Sequence, residues 1–304
     1  MTTEPATQYY YHGRFRVVGG VLPNAVTAYR THGDPKNPCI VFPTCYGSKL
    51  DSQAYMMGPD KASEWNQFIE EVLNPDKYYI ATIALFCNGE CSSLSNTPLP
   101  YNGPYFPAIS YEDNARAQYA ALTKKLGIEH IYCVVGFSMG GQMVEYLDNF
   151  LEGPKAAMKA SKDFEDDHYK SVPEYGIRAF GRVYCPWAYG QTWFRDNGYL
   201  YDGLDMLALL NTWQTADVSK VRDDRNLENR LGAIKAKGLI MPCKTDLYFT
   251  PEDSEIEVSY LKDTANLVVI DSVWGHVDNP GNSQLAEGHV RKTSSFIKPK
   301  LKRF

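Results

Sequence analysis

A serine flanked by glycines at a strand–helix junction most constrains what this chain can fold into. Gly136, Ser138 and Gly140 form a Gly-x-Ser-x-Gly motif, preceded by an apolar run at 131–135 and followed by a helical pattern at 142–147. A strand, tight turn and helix in this order are typical of a nucleophile elbow, in which a strained backbone exposes the serine hydroxyl. The glycines let the strand and helix approach closely. A glycine-rich turn with an incidental serine is the alternative interpretation.

Hydrophobic patterning predicts an α/β fold with a mostly parallel sheet and helices on both faces, because predicted strands alternate with predicted helices. An N-terminal hairpin is predicted from segments 15–18 and 25–29, which bracket turn residues. Further strands are predicted at 39–42, 78–85, 131–135, 238–243 and 265–270. Helices are predicted at 64–73, 111–126 and 285–304.

Composition excludes several classes of function. The chain has 304 residues, 44% of them hydrophobic, and a net charge of −5, which disfavours nucleic acid or an anionic membrane as partner. No apolar run reaches the roughly 18 residues of a membrane span, and the first residues do not resemble a signal peptide. Seven cysteines, an odd number, indicate reduced thiols in a cytoplasmic protein. Cys87 and Cys91 lack a second pair, so no metal site is expected.

A serine nucleophile needs a histidine base that a carboxylate orients. In folds with this elbow, the acid and then the histidine follow the serine in chain order, in loops after late strands. His276 lies in a loop after the last predicted strand, whereas His289 lies inside the predicted final helix. Asp246 directly follows strand 238–243 and is the predicted acid. The competing carboxylates are Asp253, Asp271 and Asp278.

An oxyanion hole requires two backbone N–H groups that point at the developing negative charge. One is expected from Met139, the residue after the serine. The other is expected from the loop after strand 39–42, where either Cys45 or Tyr46 could supply it, and Cys45 is favoured. Cys45 as a thiol nucleophile is a rival interpretation, but no histidine follows it in a matching pattern.

Segment 151–232 breaks the strand–helix alternation and is rich in aromatic residues. It is predicted to be a helical insertion that forms a lid over the substrate pocket. Tyr46, Trp187 and Trp193 are the predicted pocket residues, and an aromatic lid favours an apolar acyl group or alcohol. The alternative is that most of these rings are ordinary core packing.

Four motifs carry a resemblance to a known family. They are Gly136-Phe137-Ser138-Met139-Gly140-Gly141-Gln142, Tyr105-Phe106-Pro107 with Tyr111-Glu112-Asp113, Asp246-Leu247-Tyr248-Phe249-Thr250-Pro251, and Trp274-Gly275-His276. Through them the chain resembles the homoserine O-acetyltransferase-like branch of the α/β-hydrolase superfamily. The resemblance implies a single α/β-hydrolase domain over 1–304 with 151–232 as its lid. It also implies a Ser-Asp-His triad, a covalent acyl-enzyme and a homodimer.

Two departures from the family pattern modify these expectations. Homoserine acetyltransferases carry an Asp-Ala-Phe-Leu run after the catalytic histidine, but here Val277-Asp278-Asn279-Pro280 follows His276, which argues against homoserine as acceptor. No strand pattern lies between the elbow helix and Tyr175. One central strand is therefore expected to be missing. Strand 238–243 would then pair beside the elbow strand, or the sheet would have a gap.

The sequence thus predicts acyl-enzyme catalysis that hydrolyses a small ester, thioester or lactone and needs no cofactor. The first alternative is acyl transfer to a hydroxyl acceptor, with acetyl-CoA or another acyl-CoA as co-substrate. The second is an inactive relative that binds a small apolar ligand.

Overall fold

The computed structural model describes residues 5–51, 73–141, 148–165, 168, 171–188, 206–221 and 226–277. These residues divide into two compact units. The first unit consists of the described residues within 1–54, 75–184 and 200–217, and the second of those within 55–74, 185–199 and 218–304.

A five-stranded sheet forms the centre of the first unit, with the strand order β1-β2-β4-β3-β5. Its strands are β1 (Gln8–Val17), β2 (Gly20–His32), β3 (Cys39–Pro43), β4 (Tyr79–Ile83) and β5 (Ile131–Val134). The predicted hairpin is confirmed as β1 and β2, which pair antiparallel and extend beyond the predicted segments. Predicted strand 39–42 is confirmed and is one residue longer, and predicted strands 78–85 and 131–135 are confirmed with shorter bounds.

β3 and β4 form the buried middle of this sheet. Every residue of both strands is buried, as expected for strands that are covered on both faces. They pair in parallel, with Cys39 opposite Tyr79 and Pro43 opposite Ile83. Because both strands end at the same edge, the loops that follow them are brought together there, and one of these loops is the predicted oxyanion loop.

The elbow strand β5 forms the last strand of this sheet in the part of the chain that the structure describes. It pairs in parallel with β3, and its Val134 is 59% exposed. Strand 238–243 does not pair beside it in the described sheets, so the first of the two predicted arrangements is not found. The described residues from the helix Asp148–Lys159 to Tyr175 contain no strand.

The described α-helices are α1 (Tyr111–Ala120), α2 (Asp148–Lys159), α3 (Glu174–Ala188), α4 (Met206–Gln214), α5 (Leu227–Gly232) and α6 (Pro251–Leu261). A π-helical turn at Ala121–Lys125 continues α1, so the predicted helix 111–126 is confirmed. Short 3₁₀ turns lie at Gly103–Tyr105, Ser138–Gly140, Val218–Val221, Lys262–Thr264 and Gly275–Val277. The described part of 151–232 contains helices and no strand, as predicted.

The second unit contains a two-stranded parallel sheet of β6 (Gly238–Ile240) and β7 (Ala265–Leu267). α6 lies between these strands in the chain and packs on β7 and on α5. Thr250 caps α6 by accepting a hydrogen bond from the Asp253 N–H, which satisfies one of the N–H groups that a helix start leaves unpaired. An isolated bridge between Cys243 and Ile270 extends the parallel pairing.

Several predictions lie outside the described residues. They are nearly all of helix 64–73, the start of the elbow helix at 142–147, the pocket residue Trp193, the competing residues Asp278 and His289, and the final helix 285–304. None of the described helices is long and apolar enough to cross a membrane.

No disulfide joins the cysteines whose side chains are described, which are Cys39, Cys45, Cys87, Cys91, Cys133 and Cys243. Cys91 is buried, accepts a hydrogen bond from the Ala28 N–H and donates one to the Ala84 carbonyl. Burial raises its pKa to about 12, which makes Cys91 a neutral structural thiol. The described residues hold no cluster of three or more His, Cys, Asp or Glu side chains that could bind a metal.

Candidate active site

Ser138 starts a tight 3₁₀ turn, Ser138–Gly140, four residues after β5 ends at Val134. Its φ is +50°, in the left-handed region that non-glycine residues seldom adopt and that functional sites often contain. Two hydrogen bonds hold the turn: the Gly140 N–H donates to the Phe137 carbonyl and the Gly141 N–H to the Ser138 carbonyl, each at 2.9 Å. This is the local geometry that a nucleophile elbow requires.

The glycines of the motif are required by close backbone contacts. A Cβ on Gly136 would collide with the carbonyl oxygen of Gly140. One on Gly140 would lie 2.8 Å from the Pro43 carbonyl oxygen and 3.0 Å from that of Thr44. The elbow therefore packs, backbone against backbone, on the end of β3 and the start of the loop after it.

The loop after β3 is held by β4 and its following residues. The Thr44 N–H donates to the Ile83 carbonyl at 2.9 Å, and the Thr44 hydroxyl accepts from the Leu85 N–H at 3.1 Å. The predicted oxyanion donors, Met139 and Cys45, thus belong to two backbone segments that are in contact through Gly140 and Thr44. This arrangement fits the two-donor oxyanion hole that the sequence predicts.

Cys45 is an unsuitable nucleophile in this environment. Its Sγ lies 2.8 Å from the Ser48 hydroxyl oxygen, and burial raises the pKa of the thiol above its ordinary value. A cysteine needs a lowered pKa, near a histidine or another positive charge, to be a reactive thiolate at neutral pH. The structure therefore favours a role for the Cys45 backbone over one for its thiol.

Tyr46, the next residue of this loop, packs against aromatic rings of the 151–232 segment. Its ring centroid lies 5.4 Å from that of Tyr184 on α3 and 5.7 Å from that of Trp213 on α4. Phe180 stacks on Tyr184 at 5.4 Å. Phe180 and Trp213 are fully buried, as core packing predicts, whereas the predicted pocket residue Trp187 is exposed. The lid over a substrate pocket stays a prediction.

Asp246 and His276 form a hydrogen-bonded pair in the second unit. His276 Nδ1 lies 2.8 Å from Asp246 Oδ2, and the side chains are 12% and 7% exposed. The other carboxylate oxygen, Oδ1, accepts from the N–H groups of Tyr248 at 2.8 Å and Phe249 at 3.1 Å. Because the carboxylate accepts a hydrogen bond from the Nδ1–H group, it favours the tautomer whose lone pair is on Nε2. This is the form that a general base requires.

Thr245 connects the loop of Asp246 to the loop of His276. Its hydroxyl donates to the Ser272 carbonyl and accepts from the Gly275 N–H, each at 3.0 Å. The imidazole of His276 is flanked by the rings of Tyr248, with centroids 4.6 Å apart, and Phe249, at 5.3 Å. These contacts support the orientation of the imidazole in which Nδ1 faces Asp246.

The competing carboxylates that the structure describes have other partners. Asp253 accepts from the Thr250 hydroxyl at 2.8 Å at the start of α6. Asp271 is exposed and forms an ion pair with Lys244 at 2.8 Å. Ser138 and Met139 belong to the first unit, and Asp246 and His276 belong to the second. The catalytic roles of these residues stay predictions.

Sequence reasoning missed Thr245 and Tyr111 as contributors to the site. The Tyr111 hydroxyl donates to the Met139 carbonyl at 2.9 Å. Tyr111 lies in one of the motifs that carry the family resemblance, but the motif assigns it no role. Thr245 lies in the loop of the predicted acid, and the sequence assigns it no role either. No spacing rule indicates either contact, because each depends on how separate loops are brought together.

Known proteins similar to this chain include esterases and O-acyltransferases. The ethyl acetate hydrolase of Pseudomonas veronii is 27% identical over 80% of this chain and 83% of its own length. The homoserine O-acetyltransferase of Trichormus variabilis is 25% identical over 85% of each chain. The crystal structure of an acetylester hydrolase from Corynebacterium glutamicum covers 97% of this chain and 96% of its own, with 21% identity and a TM-score of 0.84. No protein-family model matches the chain.

These comparisons confirm the α/β-hydrolase fold and the resemblance to the homoserine O-acetyltransferase-like branch. The relatives include both hydrolases and acyltransferases, which supports an activity of one of these two kinds.

Proposed function

We propose that this chain is a serine hydrolase that cleaves a small ester through an acyl-enzyme on Ser138. The observation that carries the proposal is the positive φ of Ser138 in a turn whose glycines pack on the start of the predicted oxyanion loop. A non-glycine residue is held in this strained conformation when the surrounding structure over-determines it, as at active sites. The Asp246–His276 pair supports a general base of the correct tautomer.

The proposed reaction has two steps of acyl transfer. Ser138 Oγ attacks the ester carbonyl while His276 Nε2 takes its proton, and the Met139 and Cys45 N–H groups stabilise the oxyanion. The tetrahedral intermediate collapses, the C–O bond to the alcohol breaks, and His276 protonates the leaving oxygen. Water, deprotonated by His276, then attacks the acyl-Ser138 ester, and the acid leaves as Ser138 recovers its proton.

A short acyl group fits this proposal best. The ethyl acetate hydrolase and acetylester hydrolase among the relatives are named for short esters. The departure after His276 argues against homoserine as acceptor. The odd number of cysteines, seven, supports a reducing, cytoplasmic location.

Labelling with a fluorophosphonate probe, together with p-nitrophenyl acetate hydrolysis, tests the proposal. Wild-type protein is expected to be labelled at Ser138 and to release acetate. Ser138→Ala is expected to lose labelling and at least about 10³-fold in kcat, with an unchanged circular dichroism spectrum. Ser259→Ala, an exposed serine on α6, serves as the matched control. Retained turnover in Ser138→Ala would remove Ser138 from the mechanism.

Acyl transfer is the second candidate, which the O-acyltransferase relatives support. In this case an acyl-CoA is the donor and a hydroxyl compound takes the place of water in the second step. Ping-pong turnover that depends on an added alcohol, with negligible free acid, would favour transfer over hydrolysis. Folded wild-type protein that is not labelled at Ser138 would instead favour an inactive ligand-binding protein.

A further inference from the structure

Tyr111 and Met139 are joined by a hydrogen bond that the proposed reaction does not yet use. The Tyr111 hydroxyl donates to the Met139 carbonyl oxygen at 2.9 Å. Tyr111 is the first residue of α1, and Met139 follows the nucleophile and is 1% exposed. The bond therefore links the start of a helix to the residue whose N–H is the predicted oxyanion donor.

The helix end of this bond is firmly anchored. Ser110 and Asp113 form a reciprocal capping box, in which the Ser110 hydroxyl accepts from the Asp113 N–H and Asp113 Oδ2 accepts from the Ser110 N–H. The same Asp113 oxygen accepts from the Val18 N–H at 2.9 Å. The Thr212 hydroxyl of α4 donates to the Ile109 carbonyl at 3.1 Å. Tyr111 thus projects from a capped helix start that two other segments, at Val18 and Thr212, also hold.

The turn end of the bond is the Met139 carbonyl, which lies between the residues that close the turn. The two hydrogen bonds within the turn use the N–H groups of Gly140 and Gly141. The Met139 carbonyl and the Gly140 N–H belong to one planar peptide group, so the bond from Tyr111 and the bond from Gly140 to Phe137 hold this group at both ends. The Met139 N–H belongs to the preceding peptide group, and the two groups meet at the Met139 Cα. By holding the second group, the Tyr111 hydroxyl restricts the movement of Met139 Cα that would redirect the N–H.

We propose that Tyr111 is a positioning residue that orients the Met139 N–H toward the oxyanion of the transition state. This inference rests on the proposed function, since it concerns the same acyl transfer to Ser138. Tyr111 acts through Met139 and does not touch the reacting atoms. An oxyanion donor acts on charge that develops in the transition state, so its misalignment lowers kcat and leaves KM nearly unchanged.

Tyr111→Phe tests the inference, because it removes the hydroxyl and keeps the ring. Tyr119→Phe is the matched control: Tyr119 lies on the same helix and its side chain is exposed. The measurements are kcat and KM for p-nitrophenyl acetate, with kcat divided by the fraction of sites that fluorophosphonate titrates. The inhibition constant of a trifluoromethyl ketone, which forms a tetrahedral oxyanion on the serine, is measured in parallel.

In Tyr111→Phe, kcat per titrated site is expected to fall about three- to tenfold, the effect of one hydrogen bond, with KM within twofold of wild type. The ketone's inhibition constant is expected to rise by the same factor, and Tyr119→Phe is expected to match wild type. Unchanged kcat per site, a smaller titrated fraction alone, or an equal rise in KM would overturn the inference. If Tyr111→Phe gives one of these contradicting results while Ser138→Ala is inactive in the same assays, only the role of Tyr111 is refuted and the proposed function survives. If wild-type protein is not labelled, both fail.

Discussion

His276 Nδ1 lies 2.8 Å from Asp246 Oδ2, while two backbone N–H groups hold the other oxygen of that carboxylate. The two oxygens of Asp246 therefore have separate tasks. Oδ1 fixes the carboxylate to its own loop, and Oδ2 accepts from the imidazole. This division determines what an amide at the same position would do.

Asp246→Asn is expected to lower kcat by about 10³- to 10⁴-fold. The N–H groups of Tyr248 and Phe249 require an acceptor, so the amide oxygen stays with them and the amide NH₂ faces His276. It then donates to Nδ1 and favours the tautomer whose proton is on Nε2, which cannot act as base. Steady-state kinetics with p-nitrophenyl acetate measures the loss.

The control for this substitution is Asp271→Asn, at an exposed carboxylate paired with Lys244. Its kcat is expected within about twofold of wild type, because surface ion pairs contribute little. Asp246→Asn with near wild-type kcat would show that Asp246 does not orient the base.

Gly140→Ala is expected to reduce activity at least tenfold and to destabilise the protein by about 1–3 kcal/mol, since overpacking against rigid backbone displaces the turn. The new Cβ would meet the Pro43 and Thr44 carbonyl oxygens. Gly153→Ala is the comparison, because Gly153 lies within α2 and its Cβ would make an ordinary contact at 3.5 Å with one methyl group of Val183 on α3. Urea denaturation should show that Gly153→Ala is as stable as wild type or slightly more stable. Equal behaviour of the two variants would refute the close-contact argument.

Glu257 is expected to make the protein less stable as pH rises. Burial, and then the nearby Asp253 carboxylate, raise its pKa from 4.5 to about 7. Between pH 4.5 and 7, the Glu257 carboxyl is therefore protonated in the folded state and ionised in the unfolded state. The contribution of this proton to stability is complete below pH 4.5 and is lost as pH rises through 7.

Glu257→Gln is uncharged at every pH and should remove this loss. We compare the free energy of unfolding of the variant with that of wild type at each pH. This difference, variant minus wild type, is expected to be roughly 2 kcal/mol larger at pH 8 than at pH 5. Glu255→Gln, at an exposed position on the same helix, should show no such difference. Urea denaturation at the two pH values measures it, and parallel pH profiles for wild type and Glu257→Gln would contradict the prediction.

Ser110→Ala is expected to cost about 1 kcal/mol of stability, because it removes the side-chain acceptor of the α1 capping box. Ser259→Ala, whose hydroxyl donates to an exposed carbonyl within α6, should change stability by less than about 0.5 kcal/mol. Thermal unfolding of both variants gives the comparison. A Ser110→Ala protein as stable as the Ser259→Ala control would argue against the cap.

Much of the fold was predictable because it depends on local pattern. The buried runs of β3 and β4, the hairpin of β1 and β2, and α1 with its acidic first turn all follow from residue type and periodicity. The candidate site was predictable to the level of residue names, since the elbow motif and the chain order of acid and base are sequence properties. Tyr111 and Thr245 were not identified, because their hydrogen bonds join residues that no motif relates.

The sequence by itself determined the strained turn at Ser138, the glycines around it and the order of Asp246 and His276, because short-range sterics and residue chemistry act within a few positions. Only the tertiary structure decided that β5 pairs with β3 while strand 238–240 pairs with β7, that Asp246 divides its oxygens between backbone and imidazole, and that Tyr111 holds Met139. These features join residues far apart in the chain. Their distances depend on how whole elements pack, which no local pattern encodes.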